Sequence, residues 1–173
     1  MKRIALLCIA SLLSLASCQS AATPGPAPDL RDAAKRTQLM EAVQRLEGRW
    51  EMVGAPGTFI DFSTIAKGSV VREVMFPGAE EEMVNMYTLD GNTLMMTHYC
   101  AAGNQPVMRA TQIKNDEIVF EPVRVQDLES PEAHYMSDMT LTFVSENEIT
   151  ESWRGMAAGA VSEMPVFQLK RVP

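Results

Sequence analysis

The sequence predicts an all-β fold, an antiparallel barrel of about eight to ten strands preceded by one amphipathic helix. Three observations carry this. From Arg49 onward, short β-rich runs alternate with turn signals at intervals of about ten residues. No second amphipathic helix lies between those runs, so βαβ crossovers and a parallel sheet are not expected. The chain has 173 residues, a net charge of −7 and 46% hydrophobic residues, which suits one compact domain.

Taken in order, residues 1–18 read as an export signal. Lys2 and Arg3 supply the positive start, and Ile4 to Leu15 form an apolar stretch too short to remain as a membrane helix. Leu15-Ala16-Ser17-Cys18 resembles the lipobox of bacterial lipoproteins, in which the cysteine thiol becomes the acylated first residue. That resemblance makes Cys18 the lipidation site. With Gln19 next, it also implies outer-membrane sorting, facing the periplasm, in a diderm host. The expected location is therefore the cell envelope, with the membrane reached through lipid.

Cleavage before Cys18 would remove Lys2 and Arg3 and no acid, leaving 13 basic against 22 acidic residues. Such a body opposes general nucleic-acid binding, because it has no basic surface to displace counterions from phosphates. It should also stand off an anionic bilayer rather than lie on it. No protein partner is indicated. Cys8 leaves with the signal and Cys18 is consumed by lipid, so Cys100 stays unpaired and the core must stabilise the domain.

Residues 19–28 hold three prolines and almost nothing to bury, a tether reaching about 30 Å at ~3.1 Å per residue. The domain then runs from 29 to 173. Asp29 offers a helix N-cap and Asp32 sits in the first turn. Leu39, Val43 and Leu46 recur at helical spacing with Met40 beside them, predicting a helix over 30–47 that ends near Gly48 and closes the domain.

Strands are expected at 49–53, 58–65, 69–76, 82–89, 93–100, 106–113, 117–123, 136–144, 148–154 and 164–171. Asp90-Gly91-Asn92 is the clearest hairpin turn; Lys114-Asn115-Asp116 and Ser145-Glu146-Asn147 are weaker ones. Met139, Leu141 and Phe143 share one face. Val70 to Phe76 alternates less cleanly, with Glu73 among apolar residues, as in barrels that carry polar groups inward.

Gly48-Arg49-Trp50 resembles the Gly-x-Trp start of lipocalins and related calycin barrels. The resemblance implies a lipocalin-like barrel in which a basic residue on the last strand, Lys170 or Arg171, packs over Trp50. The segment Thr97 to Pro106 is similar to uncharacterised bacterial lipocalin-like secreted proteins, a group that carries no reaction or ligand across. Unlike typical lipocalins, this chain has its helix before the barrel and no disulfide.

Candidate ligand-binding residues are Trp50, His98, Cys100, Asn104, Gln105 and Arg109. His98 and Cys100, two apart on a strand, point to one face with Cα atoms about 6.5–7 Å apart. That is too far for a direct Cys–His dyad, whose reacting atoms need ~3 Å. Asn104 and Gln105 either bind a polar head group or satisfy the turn's own backbone. Arg109 either meets an acidic ligand or pairs with an interior acid such as Glu73.

No nucleophile–base pair or carboxylate dyad stands out, so no catalytic residue is assigned. His98 and His134 lack metal-ligand spacing, and no Cys-x-x-Cys-His motif attaches haem, so neither metal nor cofactor is expected. The 13 methionines suit either a permissive apolar pocket or an adaptable core. The leading reading is a lipid-anchored binding protein holding a small, mainly apolar ligand in a cavity of several hundred Å3. The alternative is an envelope interaction protein with a filled core.

Overall fold

The computed structural model describes residues 31–173, the side chains of Glu163 and Pro165 apart. The export signal, Cys18, the tether and Asp29 lie outside the described residues.

One helix, α1 (Ala33–Gln44), leads into ten strands. These are β1 (Gly48–Met52), β2 (Phe59–Ile65), β3 (Val70–Met75), β4 (Met83–Asp90) and β5 (Thr93–Tyr99). They continue as β6 (Gln105–Ile113), β7 (Glu117–Gln126), β8 (Tyr135–Ser145), β9 (Glu148–Ala157) and β10 (Ala160–Arg171). Each strand pairs antiparallel with its neighbour in sequence, and β10 pairs with β1, so the sheet closes into a barrel. Closure leaves no outer edge strand and forces each strand to alternate between interior and solvent.

The helix is shorter than expected, and Asp32 is its cap rather than a first-turn residue. The Asp32 side chain accepts the Lys35 N–H at 3.0 Å. Leu39, Met40 and Val43 on the helix, with Leu46 just after it, are buried. The helix lies across one end of the barrel and is held there by polar side chains reaching hairpin backbones. Arg36 donates to the Gly91 carbonyl, Gln44 to Gly68 (3.0 Å) and Arg45 to Asn115 (2.8 Å). Three loops therefore fasten the plug, and the apolar stripe of the helix becomes the barrel floor.

The largest departure from the expected strands is at the last hairpin. Ala158 and Gly159, both at positive φ (52° and 74°), form a two-residue turn, so β9 runs on to Ala157 and β10 starts at Ala160, closer to the turn than predicted. Two positive-φ residues match the right-handed twist of the flanking strands. Ala158 gives no signal of this, and Gly159 alone is a weak one. β5 stops at Tyr99, which leaves Cys100 in the following turn instead of on the strand.

Alternation then decides the core. Val71, Glu73 and Met75 face inward on β3, and Met139, Leu141 and Phe143 do so on β8. Trp50, Ile60, Tyr87, Leu94, Met96, Met108, Ile118, Phe120 and Leu169 join them in one continuous apolar cluster. β7 pairs with β8 only from Glu117 to Phe120, yet stays paired with β6 as far as Gln126. The two strands thus part toward the end opposite the helix, hereafter the mouth.

Candidate functional site

Inside this apolar wall lies a buried polar chain built from four strands. Glu73 on β3, Asn85 and Tyr87 on β4, His98 on β5, and Glu151 and Trp153 on β9 all point inward. Each occupies a position in register with apolar neighbours, as in Ile149-x-Glu151-x-Trp153. β9 lies across the barrel from β3 to β5, so the side chains meet in the middle.

The hydrogen bonds have a definite direction. Tyr87 donates its hydroxyl to Glu73 Oε2 at 2.6 Å, and Asn85 Nδ2 donates to the same oxygen at 2.8 Å. With its amide nitrogen so committed, Asn85 Oδ1 must accept, and it lies 2.7 Å from His98 Nδ1. Asn85 therefore places the imidazole proton on Nδ1 and leaves Nε2 as a bare lone pair. Burial pushes His98 down to about 4, so the ring is neutral near pH 7. The ring tilts against Trp153, centroids 5.0 Å apart, and Trp153 donates its indole N–H to Glu151 Oε2 at 3.2 Å.

Glu73 and Glu151 form a carboxyl pair that no sequence motif announces. Burial raises Glu73 above the ordinary carboxyl range, against the pull of the donors Tyr87 and Asn85. Burial raises Glu151 well above that range, and the Glu73 charge raises it further. Both carboxyls are thus shifted toward the protonated form, Glu151 the more strongly. Burial and the two acids likewise hold the Tyr87 phenol well above its usual value.

Three buried atoms in this chain have no hydrogen-bond partner: His98 Nε2, Glu73 Oε1 and Glu151 Oε1. All three can accept a hydrogen bond. Every donor of the chain is already spent. Toward the mouth, the half-buried side chains of Met52, Phe76, Met83, Met136, Met164 and Phe167 pack on the core, and Phe76 and Phe167 meet edge to face at 5.9 Å.

The sequence-predicted residues separate in space. His98 alone joins the interior chain. Trp50 is at the opposite, helix-plugged end; its indole donates to the Leu46 carbonyl at 2.8 Å and its ring lies under Arg171. Cys100, a half-buried free thiol, and Asn104 close the β5–β6 turn, with the Cys100 N–H donating to the Asn104 carbonyl at 3.1 Å.

Asn104 is buried and ties this turn to the β7–β8 loop by donating to the His134 carbonyl at 2.9 Å. Gln105 donates to the Gly103 carbonyl at 2.9 Å. Both amides thus serve backbone groups. Arg109 corrects an expectation: it is exposed, opposite Glu121 and Met95 on the outer face, and does not pair with Glu73. Where Val107 pairs with Arg124 and Met108 with Pro122, the extra residue is Val123 on β7; Met108 faces the core opposite Met96, and alternation turns Arg109 outward.

Five grooves on the molecule have cavity volumes between about 300 and 560 Å3. The first lies between α1 and the β2–β3 loop, lined by Met40, Gln44, Lys67 and Thr88. One, of about 510 Å3, is at the mouth, lined by Gly103, Asn104, Asp127, Glu129 and His134. None of the five is lined by Glu73, His98 or Glu151. Among the described residues, no group of three or more His, Cys, Asp or Glu is arranged to hold a metal ion. No helix among them is long and apolar enough to cross a membrane.

These features define a ten-stranded antiparallel barrel, plugged by a helix at one end and carrying an acid-bearing polar chain in its interior. Comparison with protein-family models and with curated protein sequences finds no match to this chain.

Proposed function

We propose that the protein is a lipid-anchored cell-envelope binding protein whose barrel takes a small ligand, apolar along most of its length and polar at one end. The observation that carries this is the set of unpartnered atoms, His98 Nε2 with Glu73 Oε1 and Glu151 Oε1, beneath a collar of methionine and phenylalanine. A buried polar atom without a partner costs about 1–3 kcal/mol, a cost a ligand would remove. Methionine side chains are unbranched and adapt in shape, so the collar can part around an apolar body. The separation of β7 from β8 toward the mouth gives a path between collar and solvent.

Native mass measurement after gentle extraction from membranes tests the container. The expected result is a small-molecule adduct that is lost from a His98→Phe variant; bare protein from every preparation would overturn the reading. The second reading, an envelope protein with a filled core that acts through its surface, is favoured by the location of the five grooves outside the polar interior. It predicts that bare protein. The anchor rests on the lipobox resemblance at Leu15 to Cys18. Cys18→Ser should release the protein from membrane fractions, and continued sedimentation with membranes would remove lipidation from the proposal.

A further inference from the structure

We infer that the polar end of the ligand is an ammonium group, held by His98 Nε2 and the carboxyls of Glu73 and Glu151. This inference rests on the reading of the barrel as a ligand container and names the chemical class of its contents.

Tyr87 and Asn85 spend their donors on Glu73, Trp153 spends its own on Glu151, and His98 Nδ1 is spent on Asn85. The unpartnered atoms are acceptors only. An alcohol would satisfy one of them, whereas an ammonium group brings three N–H donors to three acceptors. A carboxylate or phosphate would meet lone pairs and like charge.

Charge points the same way. The buried polar side chains among the described residues are Glu73, Asn85, His98, Asn104, Ser137 and Glu151, with no lysine or arginine among them. An interior that holds two carboxyls and no cation lacks the counter-charge that buried acids ordinarily have. A ligand cation would supply it.

The approach is biased likewise. The mouth loops, 53–58, 76–82, 100–104, 127–134 and 158–159, contain Glu80, Glu81, Glu82, Asp127, Glu129 and Glu132 and not one lysine or arginine. The 510 Å3 groove between two of these loops is lined by Asp127 and Glu129, and by Asn104, whose Oδ1 also lacks a partner. Clefts of one sign concentrate ligands of the other.

In the empty barrel burial favours the protonated form of both carboxyls, Glu151 the more strongly. An entering R–NH3+ group favours their ionised form, so a carboxyl proton leaves for solvent as the ammonium binds, and no covalent bond to the ligand forms or breaks.

The test uses the full chain in detergent micelles, titrated with n-hexylammonium, hexan-1-ol and hexanoate. The readouts are the 15N signals of His98 Nε2 and the Trp153 indole, with calorimetry in two buffers of different ionisation enthalpy. The expected result is saturable binding of hexylammonium, at least tenfold tighter than the alcohol, with proton release and movement of both signals, and no saturable binding of hexanoate.

Glu151→Gln keeps the shape and one hydrogen bond; it should abolish proton release and weaken hexylammonium at least tenfold while the Trp153 signal reports an intact fold. Equal affinity for the three probes, or preference for the alcohol or acid, overturns the ammonium head group and leaves the container standing. So does failure of hexylammonium to bind a protein that nevertheless retains an extracted adduct. If no probe binds and no adduct is found, the container reading itself falls.

Discussion

Arg171, near the end of the last strand, lays its guanidinium 4.2 Å from the centre of the Trp50 ring on the first. The same guanidinium donates to the carbonyls of Arg45 and Glu47, just past the end of α1. One side chain therefore joins the two strands whose pairing closes the barrel to the helix that plugs it. The alternatives Lys170 and Arg171 are resolved by alternation: Lys170 is directed outward to an exposed ion pair with Glu148 at 3.1 Å.

Arg171→Ala should accordingly lower stability by about 1–3 kcal/mol, through the lost cation–π contact and the carbonyls left without a donor. Lys170→Ala, which removes only an exposed ion pair, should cost less than about 1 kcal/mol. Urea denaturation of the two variants compares them. Equal losses would mean that the Trp50 contact stabilises nothing.

The interior chain makes stability depend on pH in two opposed ways. His98 titrates near 4 in the folded protein and near its ordinary 6.5 when unfolded. Above 6.5 it is neutral in both states. As pH falls from 6.5 toward 4, the unfolded state takes up a proton that the folded state refuses, so this group lowers stability over that window. Glu73 and Glu151 are raised in the folded state, so their contribution is full below the ordinary carboxyl range and is lost as pH rises above it. His98→Gln should flatten the acid limb between 6.5 and 4, and Glu151→Gln the decline above the carboxyl range. Urea midpoints from pH 4 to 9 measure both.

Gly155 faces inward on β9 beneath His134. A Cβ at this position would stand 2.9 Å from His134 Nε2 and 3.4 Å from the Tyr135 carbonyl oxygen. Gly155→Ala should therefore displace the imidazole, the far end of a half-buried loop side chain, and cost about 1 kcal/mol, the low end of the range for an overpacked site. His134→Ala in the same protein should restore most of that loss. A double-mutant cycle measures the coupling, and simple additivity would show that the ring does not set the limit.

Arg109→Ala should change stability by no more than about 0.5 kcal/mol, as expected of an exposed outer-face residue. It should also leave any retained adduct in place, unlike His98→Phe. Loss of the adduct on truncating Arg109 would place the ligand on the outer wall instead of in the barrel.

Much of the barrel is legible along the chain because strand length, turn residues and period-two alternation are local properties. Asp90, Gly91 and Asn92 mark their hairpin, and Met139, Leu141 and Phe143 mark their inner face, without reference to any distant residue. The interior chain is less legible. Glu73 interrupts the alternation of its strand, and Asn85, Tyr87 and Glu151 are single polar residues with no motif around them. A polar residue in register with apolar neighbours was the available signal, and it appears on β3, β4, β5 and β9 alike.

By itself the sequence determined the class of fold, the helix ahead of the barrel and the approximate positions of the strands, since each follows from short-range pattern. The resemblance at Gly48 to Trp50 also implied a cation near the end over Trp50. Only the tertiary structure decided that Arg171 does so, that Arg109 turns outward, and that Glu73 and Glu151 meet inside the barrel. These depend on register and closure, which bring residues 78 positions apart to one point. Their consequences are electrostatic, because a carboxyl behaves as an acid or a base according to what surrounds it, and folding supplies the surroundings.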